Sequence, residues 1–186
     1  MKVNLYDFDN TIYKGDSSTD FFFYSLMKYP KVLKYLPRII KSGILYKIKK
    51  ISKTEMKENI FSFLEVIPDI DSLVKSFWET HTSYIKDFYL KKKHDKDIII
   101  SASPEFLLIP ITKELKVMDL IASDVNKKNG KFNGLNCYGK EKVKRLNKKY
   151  KDLTVLESYS DSLSDTPILE LAKNAYLVKG NKLTKF

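Results

Sequence analysis

The chain has 186 residues, enough to bury one substantial hydrophobic core or a core with a small appended domain. Hydrophobic residues make up 43% of it and charged residues 31%, as in soluble globular proteins, and no apolar run is long enough to span a bilayer. The single Cys137 excludes an internal disulfide framework, and the net charge of +11 favours anionic partners: phosphorylated substrates, nucleic acid or an acidic membrane surface.

The first predicted element is a short strand at the N-terminus. Apolar residues alternate over residues 2–6, and the strand ends in two carboxylates, Asp7 and Asp9, with Thr11 two residues further on. Because neighbouring carboxylates repel each other, their position at one strand end predicts a bound cation. Oxygen ligands favour Mg²⁺. The alternative is an ordinary acidic turn after a strand.

The pattern between Thr11 and Asp97 is helical, with little strand alternation. Ser52 followed by Glu55 is a capping-box pair, which predicts a helix running through Leu64. The sequence Pro68-Asp69 breaks this helix. The next helix is predicted to be capped by Asp71 or Ser72 and to run through Trp78 toward Tyr89. Residues 15–95 are therefore expected to form a helical insertion after the first strand.

A basic amphipathic segment lies within this insertion. Its charges and its apolar residues fall on opposite helical stripes: Lys31, Lys34, Arg38 and Lys41 on one, Val32, Leu33, Leu36, Ile39 and Ile40 on the other. Pro37 predicts a boundary between two short helices. Two interpretations stay open: the segment lies on an anionic membrane, or its apolar stripe packs on the domain while its lysines face water. We favour the second.

Strands and helices alternate in the C-terminal half. Strands are predicted at residues 97–101, 117–123, 153–159 and 175–178, and helices from residue 104 and over residues 141–150 and 165–173. Turn signals at residues 129–130 and 133–134 predict a small β-excursion. This alternation predicts an α/β fold, a Rossmann-like doubly wound parallel sheet with a helical cap. Ligands bind at the carboxyl ends of strands in such sheets, where Asp7, Ser101 and Asp161 fall.

Four short motifs follow one another along the chain: Asp7-Phe8-Asp9-Asn10-Thr11, Ile98-Ile99-Ile100-Ser101, Lys142 three residues after Gly139, and Tyr159-Ser160-Asp161-Ser162-Leu163-Ser164-Asp165. Together they resemble the motifs of the haloacid dehalogenase (HAD) superfamily of aspartate-nucleophile phosphatases, although Ser160 stands where glycine is common. The helical insertion resembles the cap of the phosphoserine phosphatase-like branch. The resemblance implies a catalytic core in residues 1–14 and 96–186 and a cap in residues 15–95.

The resemblance implies a role for each motif residue. Asp7 would attack phosphorus and form an aspartyl-phosphate, and Asp9 would protonate the leaving oxygen and then activate water. Mg²⁺ would bind the Asp7 carboxylate, the main-chain carbonyl of Asp9 and Asp161, while Asp165 would orient Lys142 or the metal ligands.

The expected contacts of the substrate phosphate are Thr11, Ser101, Ala102 and Lys142. Among them, Ser101 would donate a hydrogen bond and Lys142 would offset developing charge, so both count with Asp7 and Asp9 as catalytic. Lys140 is a local alternative to Lys142, which we prefer because the related branch places its lysine after Gly-x-x.

Substrate identity stays open at this point. Stretches within residues 119–123, 136–143 and 159–162 resemble the phosphatidylglycerophosphatase C branch, which acts on a membrane lipid phosphate. Its cap is much more apolar than this lysine-rich one, so a small phosphorylated metabolite and a lipid phosphate both remain candidates. The alternative from another class is a basic nucleic-acid-binding protein or a polynucleotide-end phosphatase, which the complete motifs argue against.

The predicted location follows from the cysteine content and the N-terminus. One cysteine fits a reducing compartment, and a strand that begins at residue 2 leaves no room for a cleavable leader. We expect a cytoplasmic protein, with the basic segment as its one candidate for peripheral contact with the inner membrane surface. The sequence predicts no oligomeric state.

Overall fold

The computed structural model describes residues 1–186. Its centre is a six-stranded sheet. Its strands are β1 (Lys2–Tyr6), β2 (Asp97–Pro104), β3 (Asp119–Ser123), β4 (Thr154–Ser160), β5 (Ala172–Lys179) and β6 (Lys182–Lys185). They follow the order β3-β2-β1-β4-β5-β6, and only β5 and β6 pair antiparallel. The predicted α/β fold with a mostly parallel sheet is confirmed.

Eight helices surround or extend the sheet. Five lie between β1 and β2: α1 (Ser17–Lys28), α2 (Leu36–Lys47), α3 (Lys53–Phe61), α4 (Ile70–His81) and α5 (Asp87–Lys92). The others are α6 (Glu105–Leu115), α7 (Lys140–Lys149) and α8 (Thr166–Leu169). None of them combines the length and the apolar character needed to cross a bilayer.

Side chains alternate along the central strands, so these strands contribute buried residues to both faces of the sheet. Val3 of β1 belongs to a cluster of nine buried residues that includes Leu146 of α7 and Ile168 of α8. Tyr6 belongs to a cluster of 31 buried residues on the other face, which contains residues of α1, α4 and α6. Trp78 of α4 also donates its indole N–H to the carbonyl of Leu107, 2.6 Å away. The helical insertion therefore shares its hydrophobic core with one face of the sheet.

The predicted helix starts in the insertion are partly right. Ser52 and Glu55 form the expected capping box, with hydrogen bonds of 3.1 and 2.7 Å between the side chain of each and the backbone of the other. The predicted cap of α4 at Asp71 or Ser72 is wrong, because Asp69 accepts a hydrogen bond from the Ser72 N–H at 3.0 Å. The helix also ends at His81 rather than running toward Tyr89.

The end of the chain departs further from the prediction. The expected helix over residues 165–173 is reduced to the four residues of α8, because β5 already begins at Ala172 and pairs with β4. The strand β6 was not predicted from the sequence. It pairs with β5 after a turn at Gly180, whose φ of +61° favours glycine.

The loop between β3 and α7 contacts the helical insertion. Its predicted β-excursion consists of one bridge between Val125 and Phe132. Phe132 donates its backbone N–H to the Glu58 carboxylate of α3 at 3.0 Å. A Cβ on Gly130 would lie 2.3 Å from the carbonyl oxygen of Phe61, so only glycine allows this close approach.

The basic segment forms two helical pieces, as Pro37 predicts. A 3₁₀ helix spans Pro30–Tyr35, and α2 begins at Leu36. The expectation that the apolar stripe packs on the domain holds only in part. Val32 is buried, whereas Leu33 and Ile40 are 53% and 55% exposed, because only one side of the segment contacts the rest of the chain.

Candidate active site

A cavity of about 390 Å³ opens at the carboxyl end of the sheet. The central strand β1 lies between β2 and β4, and parallel strands end at the same edge. Asp7 directly follows β1 and Asp161 directly follows β4, and both side chains line the cavity. Asp9, in the loop that follows β1, also lines the cavity, and α3 of the insertion forms another wall.

A buried lysine joins two carboxylates in this cavity. Lys142 Nζ donates to Asp7 Oδ1 and to Asp165 Oδ2, each at 2.6 Å, and its side chain is 2% exposed. Burial alone would lower the pKa of Lys142, but the two carboxylates outweigh burial and hold this pKa above its usual value. Lys142 therefore stays charged. Lys140 is exposed, so Lys142 is the lysine that contacts Asp7.

The turn before α7 brings Lys142 to this position. Gly139 precedes the helix with φ +56° and ψ −125°, a conformation that side chains with a Cβ rarely adopt. Lys142 and Leu146 are one turn apart and both are buried, so they share the face of α7 that packs on the sheet. The burial of Leu146 thus determines which face of α7 packs on the sheet, and Lys142 lies on that face.

Thr11 connects the two acidic loops. Its hydroxyl donates to Asp7 Oδ2 at 3.2 Å and accepts from the backbone N–H of Asp161 at 2.9 Å. Thr11 is fully buried and does not line the cavity. The structure therefore gives Thr11 a positioning contact, while its contact with substrate stays a prediction. The carbonyl of Phe8 closes the loop by accepting from the N–H groups of the three residues at positions 11–13.

Asp9 contacts the insertion and β2. Its Oδ1 accepts from the Ser17 N–H of α1 at 2.7 Å, and its Oδ2 accepts from the Ser103 hydroxyl of β2 at 2.5 Å. Burial, and then the nearby charge of Asp16, raises the pKa of Asp9 to about 7. A substantial fraction of Asp9 therefore carries a proton near neutral pH, which a general acid requires.

The predicted residues at the end of β2 separate into two layers. Ala102 lines the cavity, as does Ser103, which the sequence analysis did not single out. Ser101 is fully buried beneath them, and its Oγ accepts from the Ser103 N–H at 3.0 Å. The strand continues to Pro104 rather than ending at Ser101, which explains why residues beyond Ser101 reach the cavity.

The loop after β4 holds Asp161 and Asp165 in different environments. Asp161 is exposed, while Asp165 is buried. Ser160, at the position where the superfamily commonly has glycine, donates its hydroxyl to Asp165 Oδ2 at 2.8 Å. This departure from the family pattern therefore adds a contact to Asp165. The other carboxylate oxygen of Asp165 is buried and has no partner.

The donor set expected for Mg²⁺ consists of two side-chain carboxylates and one carbonyl. Burial raises the pKa of Asp7, and burial followed by the charge of Asp7 raises the pKa of Asp161 to about 6. The charge of Asp7 thus disfavours the charged form of Asp161, which a divalent cation bound by both carboxylates would reverse. No group of three or more His, Cys, Asp or Glu side chains is arranged to hold a metal. The expected set, with one main-chain ligand from Asp9, requires no such group and fits the residues present.

The sequence analysis missed two lysines of the insertion that line the cavity. Lys53 and Lys57 lie one turn apart on α3, and both line the cavity. Lys57 Nζ donates to the carbonyl of Ala102 at 2.7 Å, and burial lowers its pKa to about 8. Lys53 Nζ lies 3.3 Å from the centroid of the Tyr138 ring. In the sequence, the spacing of four residues was the one indication that both lysines lie on the same side of a helix.

An acidic and basic cavity at the carboxyl edge of a parallel sheet, walled by inserted helices, lies where enzymes with doubly wound α/β folds bind their substrates. The family model of haloacid dehalogenase-like hydrolases matches residues 5–170. The chain therefore belongs to this family and is a hydrolase. A comparison with curated protein sequences finds no match.

Solved structures share the fold. A protein of unknown function from Bordetella pertussis Tohama I has a TM-score of 0.75 at 19% identity, over 94% of this chain and 88% of that one. A phosphoserine phosphohydrolase-like protein from Francisella tularensis subsp. tularensis SCHU S4 has a TM-score of 0.56 at 18% identity, over 94% and 86% of the chains. Phosphoserine phosphatase, as a phospho-aspartyl intermediate analogue, has a TM-score of 0.52 at 16% identity, over 94% and 84%. The fold is thus the one adopted by phosphoserine phosphatases.

Proposed function

We propose that this chain is a Mg²⁺-dependent phosphomonoester hydrolase that acts through a phosphorylated Asp7. The observation that carries the proposal is the contact of Asp7 with the buried, charged Lys142 inside the cavity. An anionic phosphoryl group repels a carboxylate. The ammonium group of Lys142, 2.6 Å from Asp7 Oδ1, reduces that repulsion. The match to the hydrolase family and the phosphatase fold of the similar structures support the same reaction.

In the first step, a carboxylate oxygen of Asp7 attacks phosphorus and the bond to the leaving oxygen breaks. Asp9, which is partly protonated near pH 7, gives its proton to that leaving oxygen. In the second step, the same Asp9 takes a proton from water, which attacks the phosphorus of the aspartyl-phosphate and restores Asp7. Lys142 stays charged through both steps, and Thr11 keeps Asp7 in place.

Asp7, Asp161 and the main-chain carbonyl of Asp9 would hold Mg²⁺. The ion would neutralise charge on the phosphoryl oxygens during their approach to Asp7. Asp165 contacts Lys142 at 2.6 Å, so we propose that it orients the lysine. The Ser101 hydroxyl accepts a hydrogen bond from the Ser103 N–H. Because Ser101 is buried, it would contact a phosphoryl oxygen only if that oxygen passed Ala102 and Ser103 at the cavity wall.

The proposed substrate is a small phosphorylated metabolite or a lipid phosphate. Lys53 and Lys57 add positive charge on the wall formed by α3, opposite the strand ends, while Ala102 and Ser103 line the cavity from β2. We propose that residues 15–95 act as a cap that limits water access to the phosphorylated intermediate. The free, buried Cys137 supports the proposed cytoplasmic location, because reduced thiols are typical of that compartment.

Turnover of p-nitrophenyl phosphate by the purified chain tests the reaction. We expect hydrolysis that requires Mg²⁺, stops with EDTA and is lost in Asp7→Asn, since an amide is a poor nucleophile. The matched control is Asp95→Asn, at an exposed carboxylate outside the cavity, which should keep wild-type activity. Substantial Mg²⁺-dependent turnover by folded Asp7→Asn would contradict the proposal.

A further inference from the structure

One side of α2 and the residues next to it form an exposed apolar stripe, made of Leu33, Pro37, Ile40, Ile44 and Ile48. The four aliphatic side chains of this stripe are between 53% and 57% exposed. An open groove of about 550 Å³ runs along it. These side chains follow one another at spacings of about one helical turn, so they form a continuous surface rather than isolated contacts.

The domain does not cover this stripe, because α2 contacts the domain with its other side. Ser42 is buried and Ile39 is half-buried against the main core. At 100° per residue, Ile40 and Ile44 lie on the opposite side of the helix from that pair. Single exposed apolar residues are ordinary on protein surfaces, whereas a contiguous stripe marks an interaction surface.

The stripe lies in the most basic part of the chain. Residues 21–54 contain nine Lys or Arg residues and no Asp or Glu. Lys34, Arg38, Lys41 and Lys47 flank the stripe, and all four are exposed. All ion pairs of the structure lie outside residues 21–54, so no carboxylate of the chain neutralises these charges.

We propose that this stripe docks on an anionic lipid bilayer. An amphipathic helix with lysines beside its apolar face lies in the interface plane, where its aliphatic side chains enter the acyl boundary and its ammonium groups contact lipid phosphates. A second copy of the chain is a poor occupant, because two such surfaces would bring charges of the same sign together. The proposal concerns binding alone and holds whether or not the chain hydrolyses phosphomonoesters.

Co-sedimentation of the full chain with vesicles tests the docking. We compare vesicles of phosphatidylcholine with vesicles of equal phosphatidylcholine and phosphatidylglycerol, at low and at physiological salt. The wild type should bind only the anionic vesicles, and added salt should weaken binding because it screens exposed charges. Absence of binding to anionic vesicles at both salt concentrations would overturn the proposal.

An apolar variant tests the stripe itself. Ile40→Ser/Ile44→Ser should lower the affinity for anionic vesicles at least about tenfold, because two large aliphatic side chains no longer leave water. The control Leu90→Ser/Leu135→Ser removes two leucines elsewhere that are 44% and 60% exposed, and it should bind like the wild type. Unchanged binding of Ile40→Ser/Ile44→Ser, with thermal unfolding like that of the wild type, would overturn the proposal.

A charge variant and a sizing experiment complete the test. Lys34→Glu/Lys41→Glu should lose about tenfold or more in affinity, while Lys148→Glu/Lys182→Glu, with the same net charge, should lose less. Equal losses in the two variants would contradict a local docking surface. Sedimentation velocity without lipid tests the second copy: a dimer that Ile40→Ser/Ile44→Ser dissociates, with vesicle binding unchanged, would assign the stripe to self-association.

Discussion

Replacing Lys142 by methionine should destabilise the protein as well as inactivate it. The lysine is 2% exposed and lies 2.6 Å from both Asp7 and Asp165, so methionine would leave two buried carboxylates without a cation. Removing one partner of a buried ion pair typically costs about 3–5 kcal/mol. Because methionine has a similar length and packs beside Leu146, little of the loss should come from packing.

The double variant Lys142→Met/Asp7→Asn separates charge from packing. It removes one negative charge together with the positive one, so it should be more stable than Lys142→Met by on the order of 1–3 kcal/mol. Lys140→Met is the matched control, because Lys140 is exposed outside the ion pair and should change stability by less than about 0.5 kcal/mol.

Urea unfolding followed by circular dichroism, in EDTA at neutral pH, measures these free energies of unfolding. Turnover of p-nitrophenyl phosphate with Mg²⁺ measures activity, which should fall at least about 10²-fold in Lys142→Met and stay near wild type in Lys140→Met. A loss below about 1 kcal/mol in Lys142→Met, or a double variant less stable than Lys142→Met, would refute the charge-balance argument.

Three further predictions concern the metal, the proton donor and the cap. Asp161→Ala should raise the Mg²⁺ concentration at half-maximal activity at least about tenfold, and more than Asp165→Ala; identical titration curves would contradict the ligand assignment. The raised pKa of Asp9, about 7 against an ordinary 3.8, means that folded Asp9 keeps its proton while the unfolded chain releases it. In EDTA, the free energy of unfolding should therefore fall between about pH 4 and pH 7, by at most about 4 kcal/mol, and Asp9→Asn should flatten this slope in urea titrations. Lys57 has a pKa of about 8, so above that pH it loses the positive charge that attracts an anionic substrate, and KM should rise. Lys57→Arg should remove this rise, and Lys57→Ala should raise KM about tenfold at neutral pH.

The sequence predicted the position of the acidic residues because that position follows from topology. Alternating strands and helices require a parallel sheet, and parallel strands bring the residues after β1 and β4 to one edge. Asp7 and Asp161 therefore line the same cavity although they are 154 positions apart in the sequence. The choice of Lys142 came from the resemblance to the related branch, which places its lysine after Gly-x-x; in the structure, the turn at Gly139 directly precedes the first residue of α7.

The wall formed by α3 was not predictable in the same way. The capping box gives the start of α3, but which of its faces reaches the cavity depends on packing against α2 and the loop at Gly130. Lys53 and Lys57 therefore read as ordinary solvated lysines in the sequence. The strand β6 was missed for a related reason, since its four residues carry no apolar alternation and pair only because β5 offers an edge.

Detection of a phosphorylated Asp7 tests the central claim most directly. Asp9→Asn should form the aspartyl-phosphate slowly and hydrolyse it more slowly still, because the base that activates water is missing. After incubation with p-nitrophenyl phosphate and Mg²⁺ and an acid quench, mass spectrometry of peptides should find one phosphoryl group on the peptide that contains Asp7. The label should be absent without Mg²⁺ and in Asp7→Asn/Asp9→Asn. A phosphoryl group on any other residue, or full turnover without Asp7, would contradict the account.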